Sequence, residues 1–167
     1  MSKSFIKKFE NAEDLSEMFE IVKEIVYEYT GEERAGLMLG LAEMGGGPGQ
    51  FIGAFHPVGS NVIVLNKTPM KVVESAKPQL YKAYCFHLLL HEYLHSIGIF
   101  DEEITRTVTA VISERSFGKY HPVSLVAKDF NSIFPEIFYS SLFWRPNEGF
   151  NIEIVKDFDR RSVTYIG

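Results

Sequence analysis

The first clear hydrophobic pattern in the chain lies between residues 12 and 29. Its apolar residues recur at spacings of three and four, which places them on one face of an α-helix. They are Leu15, Met18, Phe19, Val22, Ile25, Val26 and Tyr29. Asn11 can cap the start of this helix and Gly31 can end it. The pattern therefore predicts an amphipathic helix over residues 12–29.

The next apolar stretches are short and contain many β-branched and aromatic residues, as is typical of strands. Residues 35–43 are apolar and interrupted by glycine, which predicts a buried strand. The sequence GGGPG at 45–49 predicts a loop, because glycine and proline dominate it. Residues 51–57 and 61–67 are separated by turn residues, and we expect them to form a β-hairpin.

The longest apolar pattern begins at Pro78, which suits the first turn of a helix, and ends at Gly98. We expect this helix of about five turns to be central, because it is apolar on most sides. A second helix is predicted over residues 102–117, and a shorter one within 121–134. The alternating tail at 151–166 predicts a terminal hairpin.

These elements predict one α+β domain over residues 1–167, with a small mixed sheet packed on helices. Strands would lie mostly before residue 75 and helices mostly after it. The length of 167 residues suits a single domain. Because 46% of the residues are hydrophobic and 14% aromatic, the chain can bury a sizeable core, which excludes global disorder.

The charge balance limits the class of partner. With 17 basic and 22 acidic side chains, the formal net charge is −5. This argues against a nucleic acid or an anionic membrane as the main partner. No segment approaches the roughly 18–20 apolar residues that cross a bilayer, and the N-terminus lacks the apolar region of a secretion signal. We therefore expect a cytoplasmic protein.

The chain has five histidines and one cysteine, Cys85, which we expect in the core. A transition metal would therefore need imidazole and carboxylate ligands. The motif HExxH, formed by His91, Glu92 and His95, lies on the predicted central helix. Residues four apart share a helical face, so both imidazoles can point at one ion. Glu92 lies about 100° round the helix and can act on a water at that ion.

Two observations favour a functional interpretation of this motif. By chance, a chain of this composition would contain HExxH in only about one or two cases in a hundred. The surrounding sequence, CFHLLLHEYLHSIGI, is also strongly apolar. Two imidazoles and a carboxylate in such a setting need polar partners, which a metal ion supplies. The alternative is a cluster of histidine and glutamate that is exposed or hydrogen-bonded internally.

On His91, Glu92 and His95, this segment resembles the active-site helix of the zincin metallopeptidases. The resemblance implies a zinc ion, a hydrolytic water activated by Glu92, and a peptide or protein substrate. It also implies a sheet whose edge strand binds peptide in extended form. By that analogy, the edge strand would lie in residues 51–57 or 61–67.

Catalytic zinc usually has three protein ligands, so a third is expected here. The sequence HEYLHSIGIFD matches H-E-x-x-H-x-x-G-x-x-D, which resembles the extended metzincin pattern with aspartate in place of the third histidine. Gly98 can end the helix and turn the chain back, so that Asp101 returns to the metal. The downstream methionine turn of the metzincins is missing, because all five methionines precede the motif. Asp101 could also cap the next helix.

Two other residues are alternatives for the third ligand. Glu114 follows His95 after 18 intervening residues, which resembles the gluzincin arrangement. His121 could return to the metal through the loop after Gly118. We rank Asp101 first, Glu114 second and His121 third.

The remaining polar candidates have smaller expected roles. Tyr120, His121 and Arg106 are candidates for stabilising the oxyanion of the transition state. His87 lies one turn before the motif, and we expect it to form a core hydrogen bond or to orient a ligand. His56, on the predicted hairpin, is expected to be structural or at the surface.

The leading hypothesis is a zinc-dependent metallohydrolase that cleaves peptide bonds. His91, His95 and Asp101 would bind zinc, and Glu92 would act as the general base. The second hypothesis is a catalytically inactive zincin-like module that binds a partner or regulates it and keeps zinc for structure. The third is a structural domain without a metal.

Overall fold

The computed structural model describes residues 2–44, 50–57, 59–138, 151–156 and 158–159. Within them the chain is a mixture of helices and a small mixed sheet, as the α+β prediction expected. The helices are α1 (Ser2–Asn11), α2 (Leu15–Thr30), α3 (Lys67–Ala76), α4 (Pro78–Ser96), α5 (Glu102–Phe117) and α6 (Pro122–Ile133). The strands are β1 (Met38–Ala42), β2 (Phe51–Ile52), β3 (Ala54–Phe55), β4 (Val62–Asn66), β5 (Ile137–Phe138) and β6 (Glu153–Val155).

Four of the strands form one sheet in the order β3-β4-β1-β6. β1 and β4 are parallel, with Leu39 opposite Ile63, and both of these side chains are fully buried. β3 and β6 lie at the two edges and run antiparallel to their neighbours. β2 and β5 pair in parallel as a separate two-stranded sheet.

The predicted hairpin at 51–57 and 61–67 is present in part, as the antiparallel pair of β3 and β4. One of the two edge strands, β3, falls in the first of the two ranges that the sequence offered for an edge strand. The first residues of that range, in β2, pair with β5 and not with the four-stranded sheet. Just after β2, Gly53 N donates to Phe138 O at 3.1 Å. This pairing partner lies far along the chain, which is why the local pattern did not predict the split.

Helix α4 is the centre of the molecule. It contacts α2, α3, α5 and α6 as well as the sheet, and every residue from Ala83 to His95 is buried. This confirms the prediction from its apolar sequence, because a helix that is apolar all round needs neighbours on every side. Pro78 occupies its first position, and Gly98, with a φ of 109°, follows its end.

Helix α2 ends as predicted but begins with a different cap. Gly31 closes it in the left-handed conformation, with a φ of 74°. The side chain of Asp14 accepts a hydrogen bond from Glu17 N at 2.8 Å and caps the start. Asn11 cannot do this, because it is the last residue of the separate helix α1.

Helices α1 and α3 were not predicted, and both begin before residue 75, where we expected mostly strands. α1 packs through Phe9, whose ring meets Phe86 of α4 edge-on at 5.4 Å. α3 starts directly where β4 ends. The side chain of Asn66 accepts a hydrogen bond from Thr68 N at 3.0 Å and so caps α3.

The C-terminal tail adds β6 to the sheet beside β1. The return strand of the predicted terminal hairpin and the predicted loop at 45–49 lie outside the described residues. Asp159 joins the tail to the core. Its carboxylate pairs with the buried Lys23 of α2 and accepts a hydrogen bond from Leu37 N at 3.2 Å. Among the residues that the structure describes, no helix has both the length and the apolar composition to cross a membrane.

Candidate metal centre

The HExxH motif occupies the last turns of α4, and its three polar side chains are buried. His91 is 0% exposed, Glu92 1% and His95 6%. One ligand atom from each lies within 4.8 Å of the others. The predicted convergence of the two imidazoles is therefore confirmed, and the group could hold a metal ion.

A fourth side chain, that of Glu102, reaches the same point from the first turn of α5. Its Oε1 atom lies 2.6 Å from Nε2 of His95 and 3.2 Å from Nε2 of His91. Both ring nitrogens therefore face one carboxylate. Sequence reasoning missed Glu102, although the acidic residues that open α5 directly after the turn at Gly98 were a usable signal.

Asp101, the third ligand expected from the sequence, is placed differently. Its side chain is exposed, and its Oδ1 accepts a hydrogen bond from Ile104 N at 2.9 Å, so it caps α5. The turn at Gly98 brings the chain back to the histidines as expected. The side chain of Asp101 is held by the first turn of α5. The next side chain, that of Glu102, is therefore the one that faces the histidines.

The lower-ranked ligands also lie elsewhere. Glu114 is exposed and comes 12 residues after Glu102 on the same helix, which is about 18 Å along the axis. His121 caps α6, where its Nδ1 accepts a hydrogen bond from Val123 N at 3.1 Å. Tyr120, a candidate for the oxyanion, is 80% exposed.

The backbone after α4 fixes the orientation of His95. Nδ1 of the ring lies 2.7 Å from the carbonyl oxygen of Ile99, which can only accept, so Nδ1 donates. Nε2 is then the nitrogen available to a ligand. Histidines that bind metals commonly use this arrangement, in which a backbone carbonyl holds the other ring nitrogen.

Burial and the Glu102 carboxylate set the protonation of the cluster. Burial lowers the pKa of His91, and the hydrogen bond to Glu102 only partly offsets this. Burial acts the same way on His95, but Glu102 and the charge of Glu92 outweigh it and raise the pKa of that ring. Burial disfavours the ionised form of Glu102, yet hydrogen bonds from both rings lower its pKa to about 2. Glu102 is therefore an anion at neutral pH.

Glu92 is a buried carboxyl group in an apolar setting. Burial raises its pKa to about 8, although the nearby His95 acts in the opposite direction. Its Oε1 atom accepts no hydrogen bond from any residue that the structure describes. Because an unsatisfied buried oxygen costs about 1–3 kcal/mol, a water or an ion beside it would relieve that cost. The atom therefore fits a site that receives a ligand.

The other two histidines near the motif have structural contacts. His87 is fully buried one turn before His91, and its ring stacks on Phe130 with 5.0 Å between centroids. Burial lowers the pKa of His87 well below its usual value. Nδ1 of His56 lies 2.8 Å from Val62 O, and burial lowers the pKa of this ring too. The burial of both rings agrees with a core position for His87 and a structural position for His56.

Arg34 connects the turn between β3 and β4 to the end of α4. Its guanidinium donates to Ser96 O at 2.8 Å and to Ser60 O at 2.7 Å. Its backbone N–H also donates to the hydroxyl of Tyr93 at 3.0 Å. The turn between β3 and β4 is thereby held at a fixed distance from the helix that carries the motif.

Comparison of the chain with protein-family models, with curated proteins and with solved structures gave no match. The resemblance to zincins remains an expectation drawn from the motif.

Proposed function

We propose that this chain is a zinc-dependent metallohydrolase that cleaves peptide bonds. His91, His95 and Glu102 would bind the metal, and Glu92 would be the general base. The supporting observation is that two Nε2 atoms and one carboxylate converge beside a buried glutamate whose Oε1 lacks a described hydrogen-bond donor. Glu102 replaces Asp101 in this proposal, because Asp101 caps its own helix.

The donor set favours zinc. Two imidazole nitrogens and one carboxylate oxygen are the protein ligands of one common class of catalytic zinc site, with the fourth position left to water or substrate. The same donors also bind other divalent transition metals, and affinity alone does not distinguish them. No thiolate takes part, since the one cysteine, Cys85, is buried in the core and is not a member of the cluster.

Each residue has a distinct role in the proposed reaction. Bound zinc would supply Lewis-acid polarisation of a water and of the scissile carbonyl. In its ionised form, Glu92 would accept a proton from the attacking water and pass it to the leaving amine. His95 would be kept in the correct tautomer by Ile99 O, and Glu102 would supply negative charge that offsets the cation.

The burial of the cluster favours a second candidate function, a zinc-binding module without turnover. His91 and Glu92 are almost inaccessible, and catalytic sites need a path for water and substrate. Glu102, whose side chain is 30% exposed, provides the contact with solvent. The two candidates differ in whether a zinc-loaded protein cleaves peptides.

Metal analysis combined with a peptide library tests the proposal. We expect one zinc per purified chain, loss of that zinc in His91→Ala, and its retention in the control His121→Asn, which keeps a capping side chain on α6. The zinc-loaded protein should cleave members of the library. A protein without zinc would contradict both candidates, whereas stoichiometric zinc without cleavage would favour the module.

A further inference from the structure

A cavity of about 450 Å³ lies between α5 and α6, outside the cluster that would bind the metal. Arg106, Thr107 and Val111 line it from α5, and Lys128, Phe130 and Asn131 line it from α6. We call it the α5–α6 groove. Its position and its charges suggest what it binds.

The groove lies where the regular course of α6 is interrupted. Near their connecting turn, α5 and α6 touch, and Ser124 Oγ donates to Ser113 O at 3.1 Å. Further along, Asp129 adopts a non-helical conformation, with a φ of −121° and a ψ of 35°, and interrupts α6 at the groove. Asp129 and the residues on either side of it, Lys128 and Phe130, all line the groove.

Both walls of the groove adjoin the metal centre. Arg106 follows Glu102 by four residues and so lies on the same face of α5, about 5.4 Å along the axis. On the other wall, Phe130 stacks on His87, which precedes His91 by one turn.

The polar lining suits an anion with an apolar body. Arg106 and Lys128 supply two positive charges against the single negative charge of Asp129, while Asn131 offers a neutral donor. A guanidinium has five donors, and its planar fork matches both oxygens of a carboxylate. Phe130 provides apolar surface beside these groups.

We propose that the α5–α6 groove binds a carboxylate of the substrate, held by Arg106 and Lys128. This inference rests on the proposed peptidase function. The carboxylate could be the free C-terminus of a peptide or an acidic side chain near the scissile bond. An extended peptide advances about 3.3 Å per residue, so the step of about 5.4 Å from Glu102 to Arg106 corresponds to about two residues of substrate.

The test compares three peptides that differ only at the C-terminal residue or in its terminal group. One ends in a free carboxylate, one in an amide, and one in a glutamate whose terminus is amidated. For the zinc-loaded protein we expect kcat/KM to be about tenfold or more higher for a peptide with a carboxylate than for the neutral amide. The glutamate peptide shows whether a side chain can supply the carboxylate or only the C-terminus does so.

Variants connect this preference to the groove. Arg106→Gln and Lys128→Gln should each reduce the ratio between acid and amide peptides, mainly through KM, and Arg106→Lys should keep part of it. The control is Arg115→Gln, because Arg115 lies on the same helix with its side chain over the ring of Tyr29. A wild-type ratio near one, or a ratio that Arg106→Gln leaves unchanged, would overturn the proposal.

A binding measurement separates this inference from the proposed activity. If the zinc-loaded protein cleaves none of the peptides, the proposed peptidase function fails, and the groove is tested by NMR titration with N-acetyl-leucine and with its amide. Saturable shifts at Arg106 and Lys128 with the acid alone would support a carboxylate site. Equal shifts with both compounds, or none with either, would refute it.

Discussion

Oε1 of Glu102 lies 2.6 Å from Nε2 of His95, across the turn that joins α4 to α5. The turn is short because Gly98 adopts a φ of 109°, which reverses the chain directly after the motif. The contact brings two imidazoles of α4 and one carboxylate of α5 to the same point.

The first prediction concerns the third ligand. If Glu102 is the third zinc ligand, as proposed, Glu102→Ala should weaken zinc binding by more than the roughly 10–100-fold that is typical for loss of an outer-shell partner. The dissociation constant, measured by competition with a chelator, tests this. A variant that binds zinc as tightly as the wild type would exclude Glu102 from the ligand set.

The neighbouring residue provides a matched control and a second prediction. Asp101→Ala should keep zinc affinity within a few-fold of the wild type, because the side chain caps α5 instead of facing the imidazoles. The free energy of unfolding should fall by about 1 kcal/mol, the usual cost of losing an N-cap. Urea denaturation of the apo protein measures that loss. If zinc affinity fell instead, the sequence-based assignment of Asp101 as a ligand would be restored.

The third prediction concerns the buried ion pair between Lys23 and Asp159, in which both side chains are 2% exposed. Asp159→Ala should lower the free energy of unfolding by about 3–5 kcal/mol, because it leaves the lysine charge buried without its main partner. The mutation also removes the acceptor of Leu37 N. Chemical denaturation of wild type and variant under the same conditions measures the difference.

A surface pair serves as the control for that experiment. Lys8 and Glu24 are 2.7 Å apart but remain 47% and 41% exposed. Exposed pairs contribute about 0–1 kcal/mol, so Glu24→Ala should change stability little. Similar decreases in the free energy of unfolding for Glu24→Ala and Asp159→Ala would show that burial of the Lys23–Asp159 pair does not increase its contribution to stability.

The fourth prediction concerns alkaline pH. Burial raises the pKa of the Cys85 thiol from an ordinary value of 9.0 to about 12, although a hydrogen bond with Tyr81 acts against it. Between these pH values the unfolded chain binds fewer protons than the folded one, so stability falls as pH rises from about 9 to about 12. Other groups also titrate there, and Cys85→Ala isolates the contribution of the thiol.

Urea denaturation at several pH values between 8 and 11 measures this effect. Above pH 9, the wild type should lose stability more steeply than Cys85→Ala, by up to about 1.4 kcal/mol per pH unit for one proton. The absolute stability of the variant is expected to be lower because a buried side chain is shortened. Identical slopes in the two proteins would contradict the raised pKa.

The sequence predicted the two helices of the centre well because their ends carry strong local signals. Pro78 begins α4, and α5 ends at Phe117 before Gly118, as the pattern indicated. Helix α3 was missed because it starts at Lys67, at the end of a stretch whose pattern is typical of a strand. The pairing of β2 with β5 depends on residues 51 and 137, and such distant contacts leave no local pattern.

The candidate metal centre was also predictable only in part. The spacing of His91 and His95 was sufficient to bring their rings to one point, because it depends only on the helical repeat. The choice between Asp101 and Glu102 depends on a rotation of about 100° per residue and on which side chain caps the helix. Only the three-dimensional position of α5 against α4 decides that choice.

The most direct test of the central claim is the rate of peptide hydrolysis by zinc-loaded Glu92→Gln at matched zinc occupancy. Glutamine has nearly the shape of glutamate but cannot accept the proton, so zinc should remain while kcat falls at least about 100-fold. Equal metal content with greatly reduced turnover is the result that the proposed mechanism predicts. Undiminished hydrolysis by this variant would contradict the role of Glu92 as the general base.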